Sequence, residues 1–277
     1  MSIQTDILKL RITMCFLNSS CDNCTVAGIS RTLGEEKYKV SRVMIQMENE
    51  GLLDRSDIRR PKLTEKGIKE GEIYKDRIEL TQKHLMYEGM DMEKARKDSR
   101  FMALYCSEDF MNVLRLTDEL YSVKNQLKSE QHFTGGVLTQ RFHDGEYKFP
   151  FVVYKESVYD NNNISRANEA FMHPCVLKIK NGKGLIKLYS VPVVKKVNGY
   201  DKVLRGKLES LEYFEFGRFV NAERDGNIIS FPVDDMRFTN LMSGTGSIFH
   251  GNICLRMEYS INGVKREKEK VIFTVLM

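Results

Sequence analysis

The sequence predicts an α+β protein: a helical half carrying one charged ribbon, then an all-β antiparallel half built as a sandwich or barrel. Three observations carry that prediction. From residue 4 to about 128 the apolar residues recur at spacings of three and four, the helical period. Beyond about residue 133 they alternate or gather in short runs, the strand pattern. Those runs are separated by Asp144-Gly145, Asn181-Gly182, Asn198-Gly199, Asp225-Gly226 and Asn262-Gly263, pairs that supply the positive φ angles of tight hairpin turns.

The helical half reads in order. A first helix covers about 4–17. A short one follows Thr25 through Leu33, with Val26, Ile29 and Leu33 inward, and turns at Gly34. A third runs over about 36–49 and places Val40, Val43, Met44 and Met47 on one face, with Gly51 closing it. Residues 52–63 are too few and too charged for another helix and suit a two-stranded ribbon with a basic tip. Thr64 is a natural N-cap, with Glu65 in the first turn where the helix dipole favours an acid, and a long helix follows to about residue 88. Asp91 caps a fifth helix to about Cys106, and Ser107 caps a sixth through about Leu127. Leu80, Leu85, Phe101, Leu104, Phe110, Leu114 and Leu120 give these last three helices apolar stripes, suited to one another or to a second chain. The polar stretch 124–131 reads as the boundary. The expected organisation is 1–67, 68–130 as a dimerisation region, and 131–277 as the β part. Strands are expected at 149–155, 175–180, 184–191, 211–216, 227–231, 247–260 and 264–275, seven to nine in all.

Composition narrows the class. Of 277 residues 42% are hydrophobic and 29% charged, with 5 Pro and 19 Gly, which excludes wholesale disorder and a collagen-like chain. No apolar run approaches the roughly 18 residues that cross a bilayer. The opening MSIQTDILKLRITMCFL is interrupted by Asp6, Lys9 and Arg11, unlike a secretory signal. The chain therefore reads as cytoplasmic, with no membrane partner. Residues 1–130 hold 22 Lys and Arg against 22 Asp and Glu, so the net +5 belongs to the β half. A nucleic-acid role for the first half must rest on where its charges sit.

They sit well. Between Lys37 and Lys66 there are eight basic and five acidic residues, a locally positive stretch in a neutral half. Helix, turn, helix and charged ribbon make a winged-helix arrangement, in which a helix end enters the major groove and shows its first turn to base edges. Tyr38, Ser41 and Arg42 project together, opposite Val40 and Val43, while Lys37 and Lys39 stand at the same end to meet phosphates. Arg55, Arg59, Arg60 and Lys62 on the ribbon are placed to track the neighbouring backbone or minor groove.

Val26-Ala-Gly-Ile-Ser-Arg-Thr-Leu33, Val40-Ser-Arg-Val-Met-Ile-Gln-Met47, Glu50-Gly-Leu-Leu53 and Leu63-Thr-Glu-Lys-Gly67 resemble winged-helix transcriptional regulators. In order and helix length, and in Gly-Met-Asp-Met-Glu-Lys at 89–94, residues 4–125 resemble the iron- and manganese-dependent repressors of the diphtheria-toxin-repressor type. The resemblance implies a DNA-binding homodimer. In that family a histidine early in the long helix and an acidic, histidine-bearing helix after it hold the activating metal. The corresponding positions here are Ile78, Arg100, Ala103 and Leu104, none able to ligate a divalent ion, so the metal switch is lost and no cofactor is expected. His84 nearby is a single residue and makes no site.

Other features read as structural. Cys21-Asp-Asn-Cys24 lacks a second ligand pair and suits a solvent-facing loop between two helices. The pairs His173/Cys175 and His250/Cys254 lack companion carboxylates. Ser243-Gly-Thr-Gly-Ser247 lacks the Lys-Ser/Thr of a phosphate loop and reads as a turn or bulge. Asn163-Ile-Ser-Arg-Ala-Asn168, after Arg141, faintly resembles the cyclic-dinucleotide-binding barrels without their paired arginine and closing glycine. No nucleophile–base–acid trio stands among the five histidines, and no enzymatic activity is expected. The expectation is a homodimeric regulator of double-stranded DNA whose β half receives an unknown small-molecule or protein effector. Two alternatives stand: a protein-interaction or assembly module without DNA binding, and a metal-dependent regulator using Cys and His of the β half.

Overall fold

The computed structural model describes residues 3–18, 24–157, 162–196, 203–241 and 247–277. Two compact units divide the chain, Met1–Asp118 and Glu119–Met277.

In the first unit, α1 (Ile3–Asn18), α2 (Val26–Leu33) and α3 (Lys37–Asn49) close around one core. Leu8, Ile12 and Phe16 of α1 meet Ile29 of α2 and Val40, Val43, Met44 and Met47 of α3, with Leu52 and Leu53 beneath. Thr25 starts α2 by accepting a hydrogen bond from the Gly28 amide, and Gly34 ends it at φ 68°, a left-handed conformation that strains a residue with a Cβ. The ribbon pairs β1 (Leu53–Asp54) with β2 (Lys62–Leu63) antiparallel, Leu53 opposite Leu63. Helix α4 (Glu65–Tyr87) starts at Thr64, whose hydroxyl accepts from the Gly67 amide. Gly67 is there for space: a Cβ on it would fall 2.0 Å from the Leu52 carbonyl oxygen.

Helix α5 (Met92–Tyr105) is capped by Asp91, which accepts from the amides of Glu93 and Lys94. At the start of α6 (Glu108–Gln126) the Ser107 hydroxyl accepts from the Phe110 amide. Arg77 of α4 ties these helices, donating to the Ala103 carbonyl at 2.9 Å and to Glu108 at 2.7 Å. Leu80, Met111 and Leu114 bury together as a small second core, whereas Phe101 and Phe110 of the expected stripe stay exposed. Among the described residues no helix is long and apolar enough to cross a membrane.

The second unit opens with β3 (His132–Thr134) and a short helix α7 (Gly135–Thr139). Next come β4 (Gly145–Phe149), β5 (Phe151–Lys155) and a 3-10 turn at Arg166–Ala170. They are followed by β6 (Phe171–Lys180), β7 (Lys183–Ser190), β8 (Val193–Lys196) and β9 (Val203–Glu215). Then come β10 (Arg218–Asn221), β11 (Glu223–Asp225), β12 (Ile228–Pro232) and β13 (Arg237–Asn240). The last three are β14 (Phe249–Ile261), β15 (Val264–Lys265) and β16 (Glu269–Leu276). All pairings are antiparallel. A five-stranded sheet runs β11-β12-β7-β6-β4, and a nine-stranded sheet is organised on β14, which pairs β9, β13, β15 and β16. Both sheets feed one core, where Phe231 of β12 meets Phe273 of β16 edge-on at 5.7 Å.

Several sequence expectations are corrected. The described residues hold fourteen strands from β3 onward, not seven to nine, because many ladders are only two to five residues long. The run 149–155 splits at Pro150, which takes the chain from one sheet to the other. The final run splits between β15 and β16, and 211–216 is the end of the much longer β9. Asp144-Gly145 is no hairpin turn: Gly145 opens β4, and Asp144 accepts from the Asn181 amide at 2.7 Å. The polar stretch 124–131 is not a free boundary, since Leu127 within it is buried in the core of the second unit, next to Val123 just before it. Cys24, expected on a solvent-facing loop, is buried in the core of the first unit. Asn198-Gly199, Cys21 and residues 243–246 lie outside the described residues.

Candidate nucleic-acid interface

Helix α3 has two faces. Val40, Val43, Met44 and Met47 are buried at the 3.6-residue period, which leaves Lys37, Tyr38, Lys39 and Arg42 exposed and Ser41 half-buried. Tyr38 is 65% exposed although aromatic, and no core claims it. Glu36 is the N-cap residue but makes no side-chain cap, so α3 begins with open amides. Its carboxyl instead takes hydrogen bonds from Lys39 and Tyr38, which hold it below the usual carboxylate range. The same bond raises Lys39, whose ammonium lies 3.0 Å from Glu36.

The ribbon tip is shaped by two aspartates. Asp54 accepts from the Ser56 amide and Asp57 from the Arg59 amide, both at 2.9 Å, local turns that use up the acids' nearest lone pairs. Arg59, Arg60 and Lys62 are exposed. Among the described residues Lys37, Arg42, Arg59 and Arg60 have no ion pair, while Lys62 faces Asp54 across the ribbon and acts on its carboxyl. Arg55 departs from the expectation. Its side chain is only 11% exposed and folds back onto Glu48 of α3 at 3.4 Å. It joins ribbon to helix rather than standing out for a phosphate.

Two apolar residues join this surface that the sequence reading passed over: Ile58 at the tip, 68% exposed, and Ile45 one turn along α3 from Arg42. The available signal for Ile58 was an isolated apolar residue inside a charged turn.

The remaining candidates fall elsewhere. Ile78, Arg100 and Leu104 are half-buried, and Ala103 is fully buried with its carbonyl bound to Arg77. Partial burial lowers Arg100, and the nearby Arg11 and Arg96 lower it further, a field hostile to a cation. His84 is half-buried. In the second unit His173 stacks on Phe151 with centroids 4.0 Å apart, and burial pushes the Cys175 thiol up to about 12, far from a ready ligand or nucleophile. His250 is engaged by Asn252 at 3.0 Å, and Cys254 is exposed. Asn168 is a strap, its amide bonding both backbone groups of Val153. Among the described residues no group of three or more His, Cys, Asp or Glu is gathered as a metal set.

No family model matches the chain, and no curated protein matches it. Among solved structures, a manganese-dependent transcriptional repressor in complex with manganese is 12% identical at a TM-score of 0.35, over 98% of this chain and 100% of that one. The IdeR of T. acidophilum is 12% identical at 0.32, over 85% and 99%. The NEAT5 domain of IsdX2, a B. anthracis hemophore in complex with heme, is 18% identical at 0.31, over 48% of this chain and 96% of that one. Similarities at this level define neither a shared fold nor a shared function.

Proposed function

We propose that the chain is a dimeric, DNA-binding transcriptional regulator whose first unit is a winged helix-turn-helix. One observation carries the reading: free cations line both the solvent face at the start of α3 and the adjoining ribbon tip, while the opposite face of α3 is core. That pairing fits a groove and its flanking phosphates. The absence of a side-chain cap on α3 adds donors and a positive dipole end at the same place. Exposed Phe101, Phe110, Val113 and Leu116 on α5 and α6 supply the apolar surface a dimer needs. The second unit is read as the receiver of an effector.

Fluorescence anisotropy with genomic fragments across a salt series tests this. Arg59→Ala is expected to reduce the salt slope by about 0.9, the loss of one phosphate contact. Arg42→Ala is expected to cost about 1–3 kcal/mol and to relax discrimination at one base position. Unchanged binding in both variants rejects the surface. A second reading, a protein-interaction module, is favoured by the exposure of Tyr38, Ile45 and Ile58 together. It predicts salt-insensitive capture of a protein partner that Ile58→Ser abolishes, with no shift of DNA.

A further inference from the structure

We propose that the second unit binds an uncharged aromatic small molecule bearing one hydrogen-bond donor, in a cleft on the outer face of the nine-stranded sheet beside Phe216. The cleft has a volume of about 820 Å³, within the size range of small-molecule sites. Three observations meet there.

The first is Phe216 itself. Among the described residues, three hairpins of the second unit turn on two residues with positive φ, at 181–182, 216–217 and 262–263. The leading residue is Asn181 at φ 52° and Asn262 at φ 49°, a residue type that tolerates this conformation, but in the middle hairpin it is Phe216 at φ 45°. Phe216 is also 88% exposed. A bulky ring there strains the backbone and gains no burial, and such outliers gather at ligand sites.

The second is the surface beside it. Strand β16 runs along one side of β14, and β13 and β9 lie end to end along the other. Pairing with β13 stops at Asn252 and pairing with β9 takes over at Leu255, so Ile253 and Cys254 have no registered partner on that side. Phe214 and Phe216 border this gap from the end of β9, and Asp235 and Arg237 from the start of β13. Across the floor, Cys254 stands opposite Ile272, and Ile272 opposite Tyr154. Their chain neighbours Leu255, Phe273 and Val153 are core, which puts this row on the outer face. Aromatic rings flanking a low apolar floor suit a flat ring system.

The third is a spare acceptor. Among the described residues the Asp235 Oδ2 is buried without a hydrogen-bond partner, a cost that a ligand N–H or O–H would remove. The neighbouring Asn252 amide is already engaged, by His250 at 3.0 Å and by Thr274 at 2.7 Å. Lys155 and Arg237 share the lining with Asp235, so neither sign of ligand charge is favoured. The site stands whether or not the first unit meets DNA.

The chain has no tryptophan, so indole fluorescence reports binding to the full protein against no background indole. Indole is expected to bind at one site and to slow alkylation of Cys254 by iodoacetamide, read by mass spectrometry. 1-Methylindole, which lacks the N–H, should bind about tenfold more weakly. Asp235→Ala should remove that difference. Phe216→Asn should weaken indole severalfold while the thermal midpoint stays level or rises, since asparagine relieves the turn. No saturable indole binding overturns the proposal, as does binding that leaves Cys254 alkylation unchanged. Equal affinity for 1-methylindole overturns it too. A lowered thermal midpoint in Phe216→Asn would make the ring structural, and a change of oligomeric state in that variant would make a second copy the occupant; either result overturns the proposal.

Discussion

At the scale of single residues, the most exacting position is Gly67. Its Cα stands against the Leu52 carbonyl, and its amide completes the Thr64 cap, so one residue fixes where the ribbon ends and α4 begins. Gly67→Ala is expected to destabilise the protein by about 1–3 kcal/mol, the usual cost of overpacking, as read from the urea midpoint. An unchanged midpoint would show that Leu52 moves aside freely. The caps Thr64, Asp91 and Ser107 were legible in the sequence because a cap needs only its own next few residues. The capture of Arg55 by Glu48 was not, since it depends on how the ribbon folds back over α3.

At the scale of elements, α1 and the end of α3 are joined by Lys9 and Glu50, 2.8 Å apart. Partial burial pulls the Glu50 carboxyl upward, but hydrogen bonds from Lys9 and Gln46 outweigh it, and the group titrates below its ordinary value. A depressed folded value means that the stabilisation is complete above the ordinary glutamate range and fades as pH falls through the lower value. Lys9→Met is therefore expected to cost about 0.2–1 kcal/mol at neutral pH, because both partners are partly exposed. The gap to wild type should close in acid, followed by thermal unfolding against pH; a gap constant across pH would place the effect in packing. Helices were readable for the reason that their burial repeats within the segment, as in Val40, Val43, Met44 and Met47. The strand β3 was not, because its three residues are defined by pairing with β13, about a hundred positions away.

At the scale of the whole molecule, the two units differ in how far apart in sequence their contacts lie. The first joins neighbours α2 with α3 and α4 with α5, and closes when α1 packs on α4, whereas β14 must find β9 across an intervening stretch of several strands. Local contacts close early and distant ones late. Pulse-labelled hydrogen exchange during refolding is expected to protect amides of α3 and α4 before those of β9 and β14. Simultaneous protection would show that the units fold as one. The division into a helical and a β part was visible from periodicity alone. The register shift in the β9–β14 ladder was not, since it arises from one extra residue, Glu209, that no pattern of polarity marks.

The central place of β14 also bears on how the protein is made. A ribosome releases β9 well before Phe249–Ile261, the strand that pairs along it. Until that strand emerges, β9 presents an open edge and an apolar face to its surroundings, a surface that sticks to other nascent chains. Overexpression should thus drive inclusion bodies unless growth is cooled or chaperones are supplied, even though the finished sheet hides the edge responsible.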